Sequence, residues 1–172
     1  MNLITFVSLI VMVACNGLPD QSNSFKDSVV VFAGTTPCGN VIRPLHKISP
    51  EPDCQLKDCK CFVVEWELTL YMDAATKEST RFRLKGINRY NVKETNMYSE
   101  PGIKSEAEGK WVIIRGTKTN PNDILYQLNP DKPGMSLSFL KLGDNLLHIV
   151  DQNGKLMIGN EFHSYTLNRV SK

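Results

Sequence analysis

The chain has 172 residues, 41% of them hydrophobic and 22% charged, which is enough for one domain with a true core and too few for two. Twenty Lys and Arg against 18 Asp and Glu leave a formal charge of +2. So even a balance supplies no net field for nucleic acid or an anionic membrane surface, and no nucleic-acid partner is expected.

In chain order, residues 1–14 come first and are almost wholly apolar. A spanning helix takes roughly 20 residues, so this shorter run reads as the apolar region of a secretory signal peptide. It ends Met12-Val13-Ala14-Cys15, then Asn16-Gly17. That resembles a bacterial lipobox, in which small residues precede a cysteine that is lipid-modified and becomes residue one. The match has two departures: no Lys or Arg precedes Cys15, and Met12 stands where Leu is usual. Cleavage near Cys15 without lipid, giving a secreted soluble product, is the alternative. No second apolar run approaches spanning length, so the expected membrane attachment is the lipid on Cys15 alone. Residues 15–27 are rich in Gly, Pro, Ser and Asn and bury too little to fold; they read as a tether, or simply as a frayed terminus.

The domain proper, 28–172, reads as strands separated by turns. Residues 28–33 form a β-branched run closed by Gly34. The longest candidate is 62–72: Phe62, Val64, Trp66, Leu68, Leu70 and Met72 alternate with Glu65, Glu67 and Thr69, so one face is buried and the other wet. Residues 80–85 alternate again, with Arg81, Arg83 and Lys85 forming a basic stripe, read first as a solvated face that discourages edge pairing and, as the alternative, as an anion-binding strip. Only 102–108 carries a helix signal, and a weak one. Further strands are expected at 111–115, 123–128, 135–142, 145–150 and 164–169, with Gly143-Asp144 as a tight turn. Asp151-Gln152-Asn153-Gly154 is a hairpin signal, because Asn-Gly tolerates the positive φ of primed turns. About eight strands joined by short turns predict an all-β fold: an antiparallel meander forming a small lipocalin-like barrel.

Apart from Cys15, the cysteines are Cys38, Cys54, Cys59 and Cys61. An even number in an oxidising compartment suggests two disulfides, with three pairings open. Cys59 and Cys61 would put their thiols on one face of an extended strand. With Cys54 and Cys38 they could supply three or four soft ligands for Cu(I) or Zn(II), and His46 and Met72 are further candidate donors. A redox-active pair is the third reading. No Gly-x-Ser-x-Gly elbow, His-Glu-x-x-His or phosphate-binding glycine loop occurs, so no enzymatic activity is expected. His148 lies mid-strand between apolar neighbours and is assigned to packing or the barrel lining.

Several segments together resemble the N-terminal domain of the copper-resistance lipoprotein NlpE family. They are Gly109-Lys110-Trp111, the strand Ile124-Leu125-Tyr126-Gln127-Leu128, the hairpin that runs from Leu146 through Asp151 and Gly154 to Ile158, and the terminal Tyr165-Thr166-Leu167. Upstream, Glu67-Leu68-Thr69-Leu70-Tyr71-Met72-Asp73 matches the family's first long strand. The family's Pro-Cys-x-x-Cys motif is split here. Pro37-Cys38 is followed next by Cys54, which reads as an insertion of roughly 39–52. The resemblance implies a lipocalin-like barrel on an outer-membrane lipid anchor facing the periplasm, acting in envelope copper homeostasis or stress sensing, with another envelope protein as partner. Asn16, in place of the Asp that retains lipoproteins in an inner membrane, points the same way. The rival class is a carrier of a small apolar ligand, held in a cavity lined by Trp66, Leu68, Leu70, Trp111 and His148. A secreted enzyme or inhibitor, the latter acting through 39–52, is a third class, with no motif behind it.

Overall fold

Eight antiparallel strands follow one another in chain order and close into a barrel. The computed structural model describes residues 27–38, 61–90, 102–117 and 120–170. The strands are β1 (Ser28–Pro37), β2 (Cys61–Met72), β3 (Ser79–Tyr90), β4 (Ile103–Arg115), β5 (Ile124–Leu128), β6 (Leu137–Leu142), β7 (Leu146–Val150) and β8 (Thr166–Val170). Each pairs with its neighbour in sequence, and β8 returns to β1 through Val31–Val170, Phe32–Arg169 and Ala33–Asn168. The expected all-β barrel is therefore the fold.

Period-2 alternation puts one face of every strand inside. Val64, Trp66, Leu68 and Leu70 of β2, Phe82 and Leu84 of β3, and Trp111 of β4 are each at most 5% exposed. Phe32 of β1, with Leu128, Leu137, Phe139, Leu147, Ile149, Tyr165 and Leu167 from β5 to β8, completes the same cluster. Both indoles have their polar end satisfied. Trp66 Nε1 donates to Thr36 Oγ1 at 2.9 Å, on a threonine that is itself fully buried. A register shift between Leu70 and Met72 takes Tyr71 out of the β2–β3 ladder, and its carbonyl accepts from Trp111 Nε1 at 2.9 Å and from Thr80 Oγ1.

Three local expectations need correction. β1 does not end at Gly34 but continues to Pro37, and Gly34 pairs with Trp66. The segment 102–108 is no helix; it opens β4, the longest strand. Its inward residues Ser105, Ala107 and Gly109 are small because β2 and β3 bring large rings there: a Cβ on Gly86 would lie 3.1 Å from Trp66, and one on Gly109 would lie 2.9 Å from Phe82. The outward Glu106 and Glu108 meet Arg83 of β3, and that pairing outweighs a weak helical propensity. Finally, 151–154 turns the chain but does not open a full hairpin. Only Gly154 takes positive φ (78°), and after an isolated bridge from Val150 to Leu156 the chain leaves the wall before β8.

That turn is built on Asp151, whose Oδ1 accepts the backbone N–H groups of Lys155 and Asn153 at 2.8 Å. The bonds, Lys155's foremost, hold its carboxyl below the ordinary 3.8. A depressed carboxyl contributes stability above its unfolded pKa and loses it as pH falls through the folded value. The gap in urea midpoint between the wild type and Asp151→Asn should therefore be widest near neutrality and close as pH falls below about 4. A gap independent of pH would contradict the hydrogen bonding described.

The barrel has two unlike ends. At one, which we call the near end, the chain enters β1, and among the described residues the β2–β3, β4–β5 and β6–β7 turns lie there. Asp27, just before β1, pairs with Arg81 at the start of β3. The far end carries the connections 129–136 and 151–165, together with Cys38 at the end of β1 and Gly102 before β4.

Candidate functional site

The interior is the first place to look for a ligand. Trp66, Leu68, Leu70 and Trp111 point inward and belong to the single core cluster, with Phe82 and Phe139 packed among them. Trp111 meets Tyr126 edge-on, with ring centroids 5.0 Å apart. These large side chains fill the middle of the barrel, and each is at most 5% exposed.

His148 does not belong with them. Leu147 and Ile149 on either side of it are buried inside, so alternation turns His148 outward. There its Nδ1 meets Thr166 Oγ1 at 3.0 Å and its Nε2 meets the Met157 carbonyl at 2.9 Å. It fastens the 156–158 segment to the wall between β7 and β8 and lines no cavity.

The soft-metal donor set does not assemble among the described residues. Cys38 is disulfide-bonded, so it offers no thiolate; its partner's side chain lies outside them. Met72 packs against the core at the near end, at the opposite end of β2 from Cys61 and paired with the start of β1 rather than with its Cys38 end. Eleven steps along β2 separate Met72 from Cys61, roughly 36 Å, too far for a shared ion. Cys15, His46, Cys54 and Cys59 fall outside the described residues. No group of three His, Cys, Asp or Glu among the described residues could hold a metal.

The outer surface divides into two walls. On β2, β3 and the first half of β4, every outward position from Glu65 to Tyr71, from Arg81 to Arg89 and from Lys104 to Lys110 is charged except Thr69, Tyr71 and Ile87. These charges pair with one another: Arg89 with Glu65 at 2.9 Å, Lys85 with Glu67 at 2.8 Å, and Arg83 with Glu106. Arg83 draws the Glu106 carboxyl below its usual range. A groove of about 620 Å³ runs over this wall between Lys85, Lys104 and Glu106, with Trp66 beneath. Trp66 is only 5% exposed, so its ring gives a ligand almost nothing to stack on.

The opposite wall is different. On the second half of β4, on β5 to β8 and on β1, no outward position carries a charge. One row crosses it as Ile114, Leu125, Leu140, His148 and Thr166; Val112 and Leu146 flank the row. None of its aliphatic residues packs on the core cluster. Sequence reading missed this wall, although a signal was present. The runs at β5, β6 and β7 are apolar on both faces, where a barrel with a wet exterior needs only one.

No family model, no curated protein and no solved structure matches the chain at a significant level.

Proposed function

We propose that this chain is an exported, lipid-anchored β-barrel module of the cell envelope that acts by binding, through its outer surface, and not by catalysis. The observation that carries this reading is the filled interior. With Trp66, Phe82, Trp111 and Phe139 occupying the barrel, recognition falls to the exterior, and a lipocalin-like carrier is the weaker alternative. Export and anchoring rest on residues 1–14 and Cys15. The disulfide at Cys38 supports a structural use of the cysteines in an oxidising compartment. Copper handling by four thiolates is correspondingly disfavoured, and envelope sensing through a protein or lipid contact is retained. The residue after Cys15, Asn16, favours the outer membrane facing the periplasm.

Intact mass of the membrane-extracted protein, before and after reduction and alkylation, tests this. The expected result is a diacyl- or triacylglyceryl adduct at Cys15, with Cys38, Cys54, Cys59 and Cys61 alkylated only after reduction. A chain beginning beyond Cys15 without lipid removes the anchor. Free thiols carrying a metal adduct would return the cysteines to metal handling.

A further inference from the structure

We infer that the uncharged wall of the barrel lies against the lipid surface to which the chain is anchored, with the β7–β8 excursion dipping into it. The inference rests on the anchoring reading above and specifies which surface of the domain meets the membrane.

The first observation is the one-sidedness of exposed apolar groups. Val29, Leu142 and Val170 are 41–44% exposed and lie on or at the rim of the uncharged wall, whereas among the described residues none of the large exposed apolar side chains lies on the charged wall. In a ring of eight strands β3 stands across from β7, so the arginines of β3 face directly away from this side. A barrel that crosses a membrane would be apolar all round, and this one is not. A barrel lying on a membrane needs one apolar side and one wet side, the arrangement of an interfacial amphipathic helix carried over to a closed sheet.

The second observation is the excursion between β7 and β8. Ile158 is 90% exposed and Phe162 70%, although the backbone bearing them is tightly held. Asn160 Oδ1 accepts the N–H groups of Phe162 and His163, and Asn160 N–H donates to the His163 carbonyl at 2.9 Å. The two arms touch, since a Cβ on Gly159 would fall 2.1 Å from the His163 oxygen. His148 fixes the base through Met157. Ile158 and Phe162, held out of the core beside the exposed Glu161, make this an amphipathic tip whose two apolar side chains suit the boundary between an apolar and a wet phase.

The third observation identifies the occupant. Cys15 and Asp27 are 12 positions apart, so even fully extended the tether spans at most about 43 Å. A flexible chain of that length averages roughly 20 Å end to end. The described chain starts at Asp27, which enters β1 at the near end and pairs with Arg81 of the charged wall, while Val29 and Val170 of the adjoining β8 border the uncharged wall. The anchor thus keeps the whole domain within about a barrel's length of the bilayer, and the charge asymmetry of the two walls, not the tether, selects the side that turns to it. The strands of the wall carry no outward cation, the exposed Lys155 and Arg169 lying on the excursion and at the near rim, so contact through its aliphatic and phenyl groups calls for the acyl boundary of a lipid surface and not for its headgroup charge.

The test uses the full chain, purified from membranes and reconstituted in phosphatidylcholine vesicles with brominated acyl chains. Native Trp66 and Trp111 are buried and provide the background. Leu140→Trp and Phe162→Trp should each be quenched several-fold more than the parent, unchanged by high salt, while Arg83→Trp should match the parent. Phe162→Trp sits on the excursion, so it remains informative if Leu140→Trp disturbs the wall. Equal, parent-level quenching in all three variants, with the lipid at Cys15 confirmed by mass, overturns this inference and leaves the anchor standing. A dimer that shields both new tryptophans from brominated lipid also overturns it, with a second copy as occupant. Quenching by added vesicles of a chain that lacks the lipid supports the inference while removing the anchor.

Discussion

Replacing Trp111 with alanine should lower the unfolding free energy by about 4 kcal/mol, read from the urea midpoint at unchanged slope. The indole is 1% exposed, lies edge-on to Tyr126, and donates to the Tyr71 carbonyl at 2.9 Å. Truncation removes its buried area, opens a cavity the surrounding rings cannot fill, and leaves that carbonyl with one bond fewer. Trp111→Phe keeps most of the volume and loses the donor, for a smaller loss of about 1–2 kcal/mol. Against a total stability of about 5–15 kcal/mol, the alanine variant approaches the limit of folding. The experiment also discriminates between uses of the barrel. If the interior held a ligand cavity, Trp111→Ala would cost under about 1.5 kcal/mol and would enlarge the space for an apolar guest.

Gly34→Ala should cost about 2–3 kcal/mol, through a steric mechanism. A Cβ there would stand 2.5 Å from the Thr166 carbonyl oxygen and 3.1 Å from the Leu167 Cα, both backbone atoms of the segment that seals the barrel. Backbone cannot swing aside as a side-chain tip can, so β8 must shift away from β1. The seam has only the ladder positions Val31–Val170, Phe32–Arg169 and Ala33–Asn168 to resist that shift. Amide exchange should quicken in β8 first and in β2–β3 last. Gly134→Ala, where an added Cβ meets nothing within 4 Å, is the matched control and should stay within about 0.5 kcal/mol of the wild type. Similar losses at both glycines would mean that the close approach of β1 to β8 is not what makes Gly34 necessary.

The parts of the fold that are legible in the sequence are those where one face is large and apolar and the other charged. β2 is the best case, because Trp66, Leu68 and Leu70 alternate with Glu65, Glu67 and Thr69 over its whole length. The first half of β4 hides the same alternation. Its inner residues shrink to Ser105, Ala107 and Gly109 to admit rings from β2 and β3, and a pattern search that weighs apolar bulk finds nothing there. His148 misleads for the opposite reason. Apolar neighbours on both sides place those neighbours inside and the histidine itself outside. The uncharged wall is obscured because β5 to β7 are apolar on both faces, which looks like strands buried on both sides. Only the closed topology, with the inside already accounted for by Leu128, Phe139 and Leu147, shows that Leu125, Leu140 and Leu146 are left facing out.

Strand order has a consequence for how the chain folds. Seven of the eight ladders join strands adjacent in sequence and can form by local zippering; only β1–β8 links the two extremes of the domain. Closing a longer loop adds little free energy, about 0.6 kcal/mol per doubling of length, but it delays the contact. A chain in which β1–β8 has not yet closed is a curled ribbon with two unsealed margins, Val31 to Ala33 on one and Asn168 to Val170 on the other. Such margins are complementary between molecules as well as within one. Where newly made chains are concentrated, each ribbon can be sealed by its neighbour's β8, so yield of the closed monomer should fall with concentration at the time of folding.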